Sequence, residues 1–286
     1  MADLTPDRAG IVERDGHDIY WERFGKGDRP TVCLLNGLAM HTSAWYGFLD
    51  RLIPEYDVLL WDYPGQGRSS SPDEPYFIDR IASYLDGILD ESGIEKIHVM
   101  GVSWGGFVAL EFARQFQERI DTLTVSGIVL SHEPLFQMYQ DLSLRFYRGG
   151  PAMFELYTRY MYEKIFGEAF VRSAWNKLET MRQKFHERYK DRIHALIRLT
   201  EAQDPFFESL DERMPEYRAI RVPTLVIAGE EDRCISLRAQ RKIVDVIPGA
   251  RWEMIEGSGH VVYLEKPDEF WGMLKEHMRG EGSCRS

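Results

Sequence analysis

The strongest constraint on this chain is a rhythm. Short apolar runs alternate with stretches whose apolar residues recur every three to four positions. Thr31–Asn36 (TVCLLN), Val58–Asp62 (VLLWD), Ile97–Val102 (IHVMGV) and Leu123–Ser131 are near-continuous runs, as expected of strands covered on both faces. Between them, Tyr76–Ser92 carries Phe77, Ile78, Ile81, Tyr84, Leu85, Ile88 and Leu89 at helical spacing, and Gly105–Phe116 reads as another helix. Ile11–Asp15 and Ile19–Phe24 flank Gly16-His17 as a hairpin. Strands separated by helices pair in parallel through right-handed crossovers. The expectation is an α/β protein with a doubly wound, mostly parallel sheet.

The rhythm stops at Pro134. It resumes with a strand at Pro223–Gly229, a helix over Leu237–Ile247, a strand over Arg251–Glu256 and a helix from Pro267 to about Met278. Pro134–Glu216 keeps helical periodicity without a strand, so it is expected to be a helical insertion in a core built from residues 1–133 and 217–286. Gly280–Ser286 (GEGSCRS) reads as a disordered tail.

The chemistry concentrates at strand ends. Gly101-Val102-Ser103-Trp104-Gly105-Gly106 follows a buried strand and opens a helix. A G-x-S-x-G in that context is a nucleophile elbow: the tight turn lifts the Ser103 hydroxyl above the sheet, and glycines admit the close approach of strand and helix. The helix N-terminus favours negative charge developing beside it. A serine nucleophile needs a base, and the base an orienting acid. Of eight histidines, His260 alone sits on a glycine-rich loop after a late strand (Gly257-Ser258-Gly259-His260). Asp232 follows the strand ending at Gly229, with Glu133, at the end of the run before the insertion, as the rival acid. Ser103, Asp232, His260 is then the order nucleophile, acid, base. The oxyanion requires two N–H donors. Trp104, directly after the nucleophile, and Leu38, in the loop Asn36-Gly37-Leu38-Ala39-Met40, are the candidates.

These residues, with the turn Asp62-Tyr63-Pro64-Gly65-Gln66-Gly67-Arg68-Ser69, make the chain similar to the α/β-hydrolase superfamily over nearly its whole length. The resemblance implies the α/β-hydrolase fold, a triad on Ser103, Asp232 and His260, a cap formed by Pro134–Glu216, and a structural role for Asp62–Ser69. The family commonly has His-Gly in the oxyanion loop, where this chain has Asn36-Gly37. Asn-Gly together with Ser-Trp-Gly-Gly resembles the 3-hydroxyacyl acyltransferase branch, whose members take acyl chains from a carrier protein. Three readings follow. The leading one is a serine hydrolase of a carboxylic ester, thioester or lactone with an apolar part. The others are an acyltransferase using the same triad on a hydroxyacyl thioester, and a non-catalytic ligand receptor.

The insertion holds 15 of the 36 aromatic residues, which favours an apolar substrate, although the same rings would also serve to pack the helices. Asn36, Trp45, His132 and Glu133 are expected along the pocket, with His41 another candidate. The basic stretch Arg172–Arg192 is interspersed with acids and reads as a solvated helix face rather than a phosphate or carrier-protein site.

Charge and cysteine content narrow the partners. The net charge of −11 argues against nucleic acid, which would need a basic face. With 13 basic and 13 acidic residues the insertion is neutral, so the excess acidity belongs to the core. No apolar run is long enough to span a bilayer, and the N-terminus lacks the pattern of a secretory signal. Three cysteines at positions 33, 234 and 284 match neither a disulfide framework nor a zinc site, which points to a cytoplasmic setting. Cys33 is expected in the core, and Cys234 as incidental. The mechanism requires no metal and no organic cofactor, and the expected partner is a small-molecule substrate.

Overall fold

The computed structural model describes residues 5–281. The expected tail after Gly280 falls almost wholly outside the described residues. An eight-stranded sheet runs in the order β1-β2-β4-β3-β5-β6-β7-β8. β1 (Arg8–Arg14) and β2 (His17–Phe24) form the hairpin, and β2 pairs antiparallel with β4 (Asp57–Trp61). β3 (Thr31–Leu35), β4, β5 (Ile97–Val102), β6 (Ile120–Ser126), β7 (Thr224–Gly229) and β8 (Arg251–Ile255) are parallel. Every residue of β3, β4, β5 and β7 is buried, which is why these strands read as continuous apolar runs rather than alternating ones.

The helices between them are α1 (Ile78–Ser92) and α2 (Trp104–Gln115). Beyond β6 come α3 (Pro134–Arg148), α4 (Pro151–Ile165), α5 (Glu168–Ser173), α6 (Trp175–Tyr189), α7 (Ile193–Glu201), α8 (Asp204–Glu208) and α9 (Leu210–Tyr217), with no strand among them. α10 (Leu237–Val246), α11 (Val262–Glu265) and α12 (Pro267–Met278) complete the chain. α1 ends at Gly93 in the left-handed region, where its N–H reaches back to the last helical carbonyls. No helix among the described residues is long and apolar enough to cross a membrane.

One boundary differs from expectation. The apolar run Leu123–Ser131, expected as one strand, pairs only as far as Ser126. Gly127 at φ +67° turns the chain out of the sheet, and Ile128, Val129 and Leu130 are buried in the core without pairing. Glu133 therefore does not end a strand; it precedes the first turn of α3.

The sheet order places β3 between β4 and β5, so the chain winds first to one side of β3 and then to the other. A crevice opens at such a switch point, outside the carboxyl ends of the strands. The Asn36 loop leaves β3 there and Ser103 leaves β5.

Candidate active site

The elbow is built from close approach. Ser103 has φ 50° and ψ −127°, a strained conformation for a residue with a Cβ. Its N–H donates to the Ser126 carbonyl at 2.8 Å, and its own carbonyl accepts from Gly106 N–H at 2.7 Å, so both sides of the strained residue are tied. A Cβ on Gly101 would lie 2.5 Å from the Gly105 carbonyl oxygen, and one on Gly105 would lie 2.5 Å from the Asn36 carbonyl oxygen. Only glycine lets α2 start so close to β3 and β5. As the first residue of α2, Trp104 has no intrahelical acceptor for its N–H.

The Asn36–His41 loop lies against the elbow. A Cβ on Gly37 would sit 3.5 Å from Ser103 Cβ. The loop is held from below by the Asp62–Ser69 turn. Asp62 accepts from Thr42 N–H at 2.7 Å and from Arg68 N–H at 2.9 Å, and Gln66 Nε2 donates to the Gly37 carbonyl at 3.1 Å. Asp62–Ser69 thus acts as scaffold. Asn36 does the same: it donates to the Trp61 carbonyl (2.8 Å) and accepts from Trp45 Nε1 (2.7 Å).

The loop after β7 brings Asp232 to His260. Asp232 Oδ2 lies 2.8 Å from His260 Nδ1 and accepts from Gln240 Nε2 at 2.9 Å, while Oδ1 accepts from the N–H groups of Cys234 (2.8 Å) and Ile235 (2.9 Å). Gln240, on α10, also accepts from Gly127 N–H at 3.1 Å and is fully buried. Burial works against the His260 imidazolium. The charge and hydrogen bond of Asp232, with the charge of Glu265, outweigh it, and the His260 pKa stands above the ordinary imidazole value. Gly127 supplies the room: a Cβ there would lie 2.7 Å from His260 Cε1.

The α4–α5 junction clamps both loops. His260 N–H donates to the Ile165 carbonyl at 2.8 Å, and Arg233 donates to the Phe166 carbonyl at 2.8 Å. Glu265 Oε2 accepts from the N–H groups of Gly167 (2.9 Å) and Gly259 (3.0 Å), joining the α4–α5 junction to the His260 loop. Burial raises the Glu265 pKa against the pull of those two N–H groups.

A cavity of about 840 Å³ is lined by Ser103, Trp104, Leu38 and His260 from the core, and by side chains of α3, α4, α6 and α7. Ser103 and His260 thus face one space, and His41 also borders it. The four remaining expected pocket residues do not line it. Behind the wall Trp45 Nε1 donates to Asn36 Oδ1 and Asn36 Nδ2 donates to the Trp61 carbonyl, both residues fully buried. His132 points to Asp211 at 3.5 Å. Glu133 is held by Lys242 (2.5 Å) and Ser131 (2.7 Å), away from the imidazole. Seven of the insertion's 15 aromatics line the cavity, among them Phe136, Tyr139 and Phe166, while others such as Phe154 and Tyr189 pack the helices together.

Cys33 is in the core. Cys234 also borders the cavity, and with Asp232 and His260 it forms a group whose ligand atoms lie within 4.8 Å of one another. Burial and the charge of Asp232 push the Cys234 thiol well above its usual pKa, so it stays protonated and weakly nucleophilic. Asp232 and His260 Nδ1 are already bonded to each other, which leaves a poor donor set for a metal.

Gly127, Gln240 and Glu265 escaped the sequence reading. A glycine within an apolar run does signal a bulge or close approach, and Gly127 could have been found that way. Nothing in the sequence marks Gln240 or Glu265.

The alpha/beta hydrolase fold model matches residues 30–267. A 2-hydroxy-6-oxo-6-phenylhexa-2,4-dienoate hydrolase of Comamonas testosteroni is 29% identical, covering 98% of this chain and 99% of the relative. A poly(3-hydroxyalkanoate) depolymerase of Ectopseudomonas oleovorans is 26% identical, covering 94% and 92%. Among solved structures, MGS-M2, an α/β hydrolase enzyme from a Medee basin deep-sea metagenome library, superposes with TM-score 0.87 at 22% identity over 97% of this chain and 99% of its own. With the family model spanning most of the sequence and the elbow, loops and sheet order in place, the chain belongs to the α/β hydrolase family.

Proposed function

We propose that the protein is a serine hydrolase that cleaves a carboxylic ester, thioester or lactone through an acyl-enzyme on Ser103. The observation that carries this reading is the 2.8 Å contact between His260 Nδ1 and Asp232, with His260 and Ser103 bordering one cavity. Ser103 Oγ attacks the substrate carbonyl while His260 Nε2 takes its proton. Asp232 fixes the imidazole tautomer and steadies the imidazolium. The N–H groups of Leu38 and Trp104 hold the oxyanion. His260 then passes the proton to the leaving alcohol or thiol as the carbonyl–leaving-group bond breaks. Water, deprotonated by His260, releases the carboxylic acid and restores Ser103.

Relatives named as depolymerase and dienoate hydrolase agree with hydrolytic chemistry. The acyltransferase reading draws on Asn36-Gly37 with Ser103–Gly106; Gly37, Ser103 and Trp104 line the cavity, while Asn36 is engaged inside the scaffold. The test is a panel of p-nitrophenyl esters of increasing chain length, with acyl thioesters and lactones alongside. Turnover without an acceptor that is lost in Ser103→Ala supports hydrolysis. Turnover accelerated only by a hydroxylated acceptor would favour the transferase. Saturable binding without turnover would favour the receptor.

A further inference from the structure

The basic stretch of the insertion is divided by face. α6 turns one stripe to the cavity: Lys177, Met181, Lys184, Phe185 and Arg188, at steps of four, three, one and three, which is a single helical face. Of the neighbouring basic residues, Arg172 pairs with Glu168, Arg182 with Glu179 and Lys190 with Glu187, while Arg192 lies off the cavity. Among the described residues no ion pair joins Lys177, Lys184 or Arg188 to a carboxylate, although Lys177 Nζ also lies 5.9 Å over the Phe170 ring, and no aspartate or glutamate lines the cavity.

The stripe is fixed relative to the chemistry. Tyr189, next to Arg188 and buried, donates its hydroxyl to the Ala39 carbonyl at 3.2 Å, tying the end of α6 to the Asn36–His41 loop. Arg188 is near enough to His41 to oppose its protonation. Burial first, then Arg188 and Arg68, hold the His41 pKa down at about 4, so His41 is neutral at physiological pH. The rest of the wall is mainly apolar, with Phe107, Phe136 and Phe166 in it. Three exposed cations edging an apolar cavity with no carboxylate in its lining form a field that favours an anionic ligand.

We propose that the cavity takes a substrate bearing a fixed anionic group, carboxylate or phosphate, with the anion against Lys177, Lys184 and Arg188 and the scissile carbonyl at Ser103. The position of the carbonyl rests on the serine-hydrolase reading; the anion site does not. Arg188 offers a planar two-pronged contact to either anion, and the lysines act as point charges. The neutral net charge of the insertion hides this, because its acids lie on other faces.

The test compares p-nitrophenyl monoesters of dicarboxylic acids from four to ten carbons with neutral fatty-acid esters of equal length. Acyl-coenzyme A thioesters form the phosphate arm. The expected result is at least tenfold higher kcat/KM for one anionic substrate than for its neutral counterpart, shrinking in 0.5 M salt. In K177Q/K184Q/R188Q the ratio falls to near one, whereas Lys190→Gln, which alters a cation already paired with Glu187, leaves it in place. Preference within the dicarboxylate series identifies a carboxylate, and preference for the coenzyme A thioesters alone identifies a phosphate. Binding is measured separately in Ser103→Ala, by calorimetry with the monoamides of the same dicarboxylic acids against neutral fatty amides. Tighter binding of the monoamides there supports the anion site even if no ester is hydrolysed. Equal ratios in both arms with equal binding in Ser103→Ala, or a preference that survives the triple substitution, would overturn the proposal.

Discussion

Gly127→Ala adds one methyl group at the point where the sheet, the base and the acid support meet. Gly127 has φ +67°, so any L-residue there is strained by about 1–2 kcal/mol. The new Cβ would also lie 2.7 Å from His260 Cε1 and 3.0 Å from Nδ1. Ordinary carbon contacts are about 3.5–4.0 Å, so the imidazole must retreat by roughly 1 Å. That movement disturbs the 2.8 Å bond to Asp232 and displaces the imidazole from its place in the cavity wall. A displacement of about 1 Å at a reacting group costs on the order of 100-fold in rate. Gly249→Ala separates strain from collision: its φ is +77°, with nothing within 4 Å of the added Cβ. Urea unfolding and ester kcat/KM are measured on both variants. Both are expected to lose about 1–2 kcal/mol of stability, and only Gly127→Ala to lose about 100-fold in kcat/KM. Wild-type turnover by a folded Gly127→Ala protein would refute the placement of His260 against Gly127.

Three further outcomes follow from the same geometry. Asp232→Asn is expected to lower kcat by about 10⁴, because the imidazole loses its tautomer. The acid limb of kcat/KM also moves to lower pH: neutral His260 is the active form, Asp232 holds its pKa up, and without that charge burial pulls it down. Glu265→Gln keeps an acceptor for Gly167 and Gly259 but removes a charge that raises the His260 pKa, so the pH profile shifts downward while the melting temperature changes little. Glu133→Gln is expected to leave kcat within about twofold in the same ester assay, since Glu133 pairs with Lys242 and not with His260.

The fold was legible because fully buried parallel strands write themselves as apolar runs, and the helical stripes of α1 and α2 fall between them. β6 was drawn too long for the same reason. Ile128–Leu130 are as apolar as a strand, but Gly127 redirects them into the core, and a count of apolar residues cannot see a turn. At the site, strand-end position was enough to name Ser103, Asp232 and His260 as candidates. What escaped were residues whose role depends on contact across the chain. Gln240 reaches Asp232 from α10, and Glu265 joins Gly259 to Gly167, which lies 98 residues before Glu265 in sequence. Trp45 and Asn36 stand beside the right loop but turn away from the cavity. The α6 cations stand within a stretch of mixed charge, and only the fold separates those that border the cavity from those that do not.

The central claim is that Ser103 is a nucleophile activated by His260. A fluorophosphonate probe applied to the native protein, followed by peptide mass mapping, tests it most directly. The account predicts stoichiometric modification at Ser103 that is lost on heat denaturation and strongly slowed in His260→Ala. Absence of labelling in the native protein, or modification at another residue with Ser103 untouched, would contradict it.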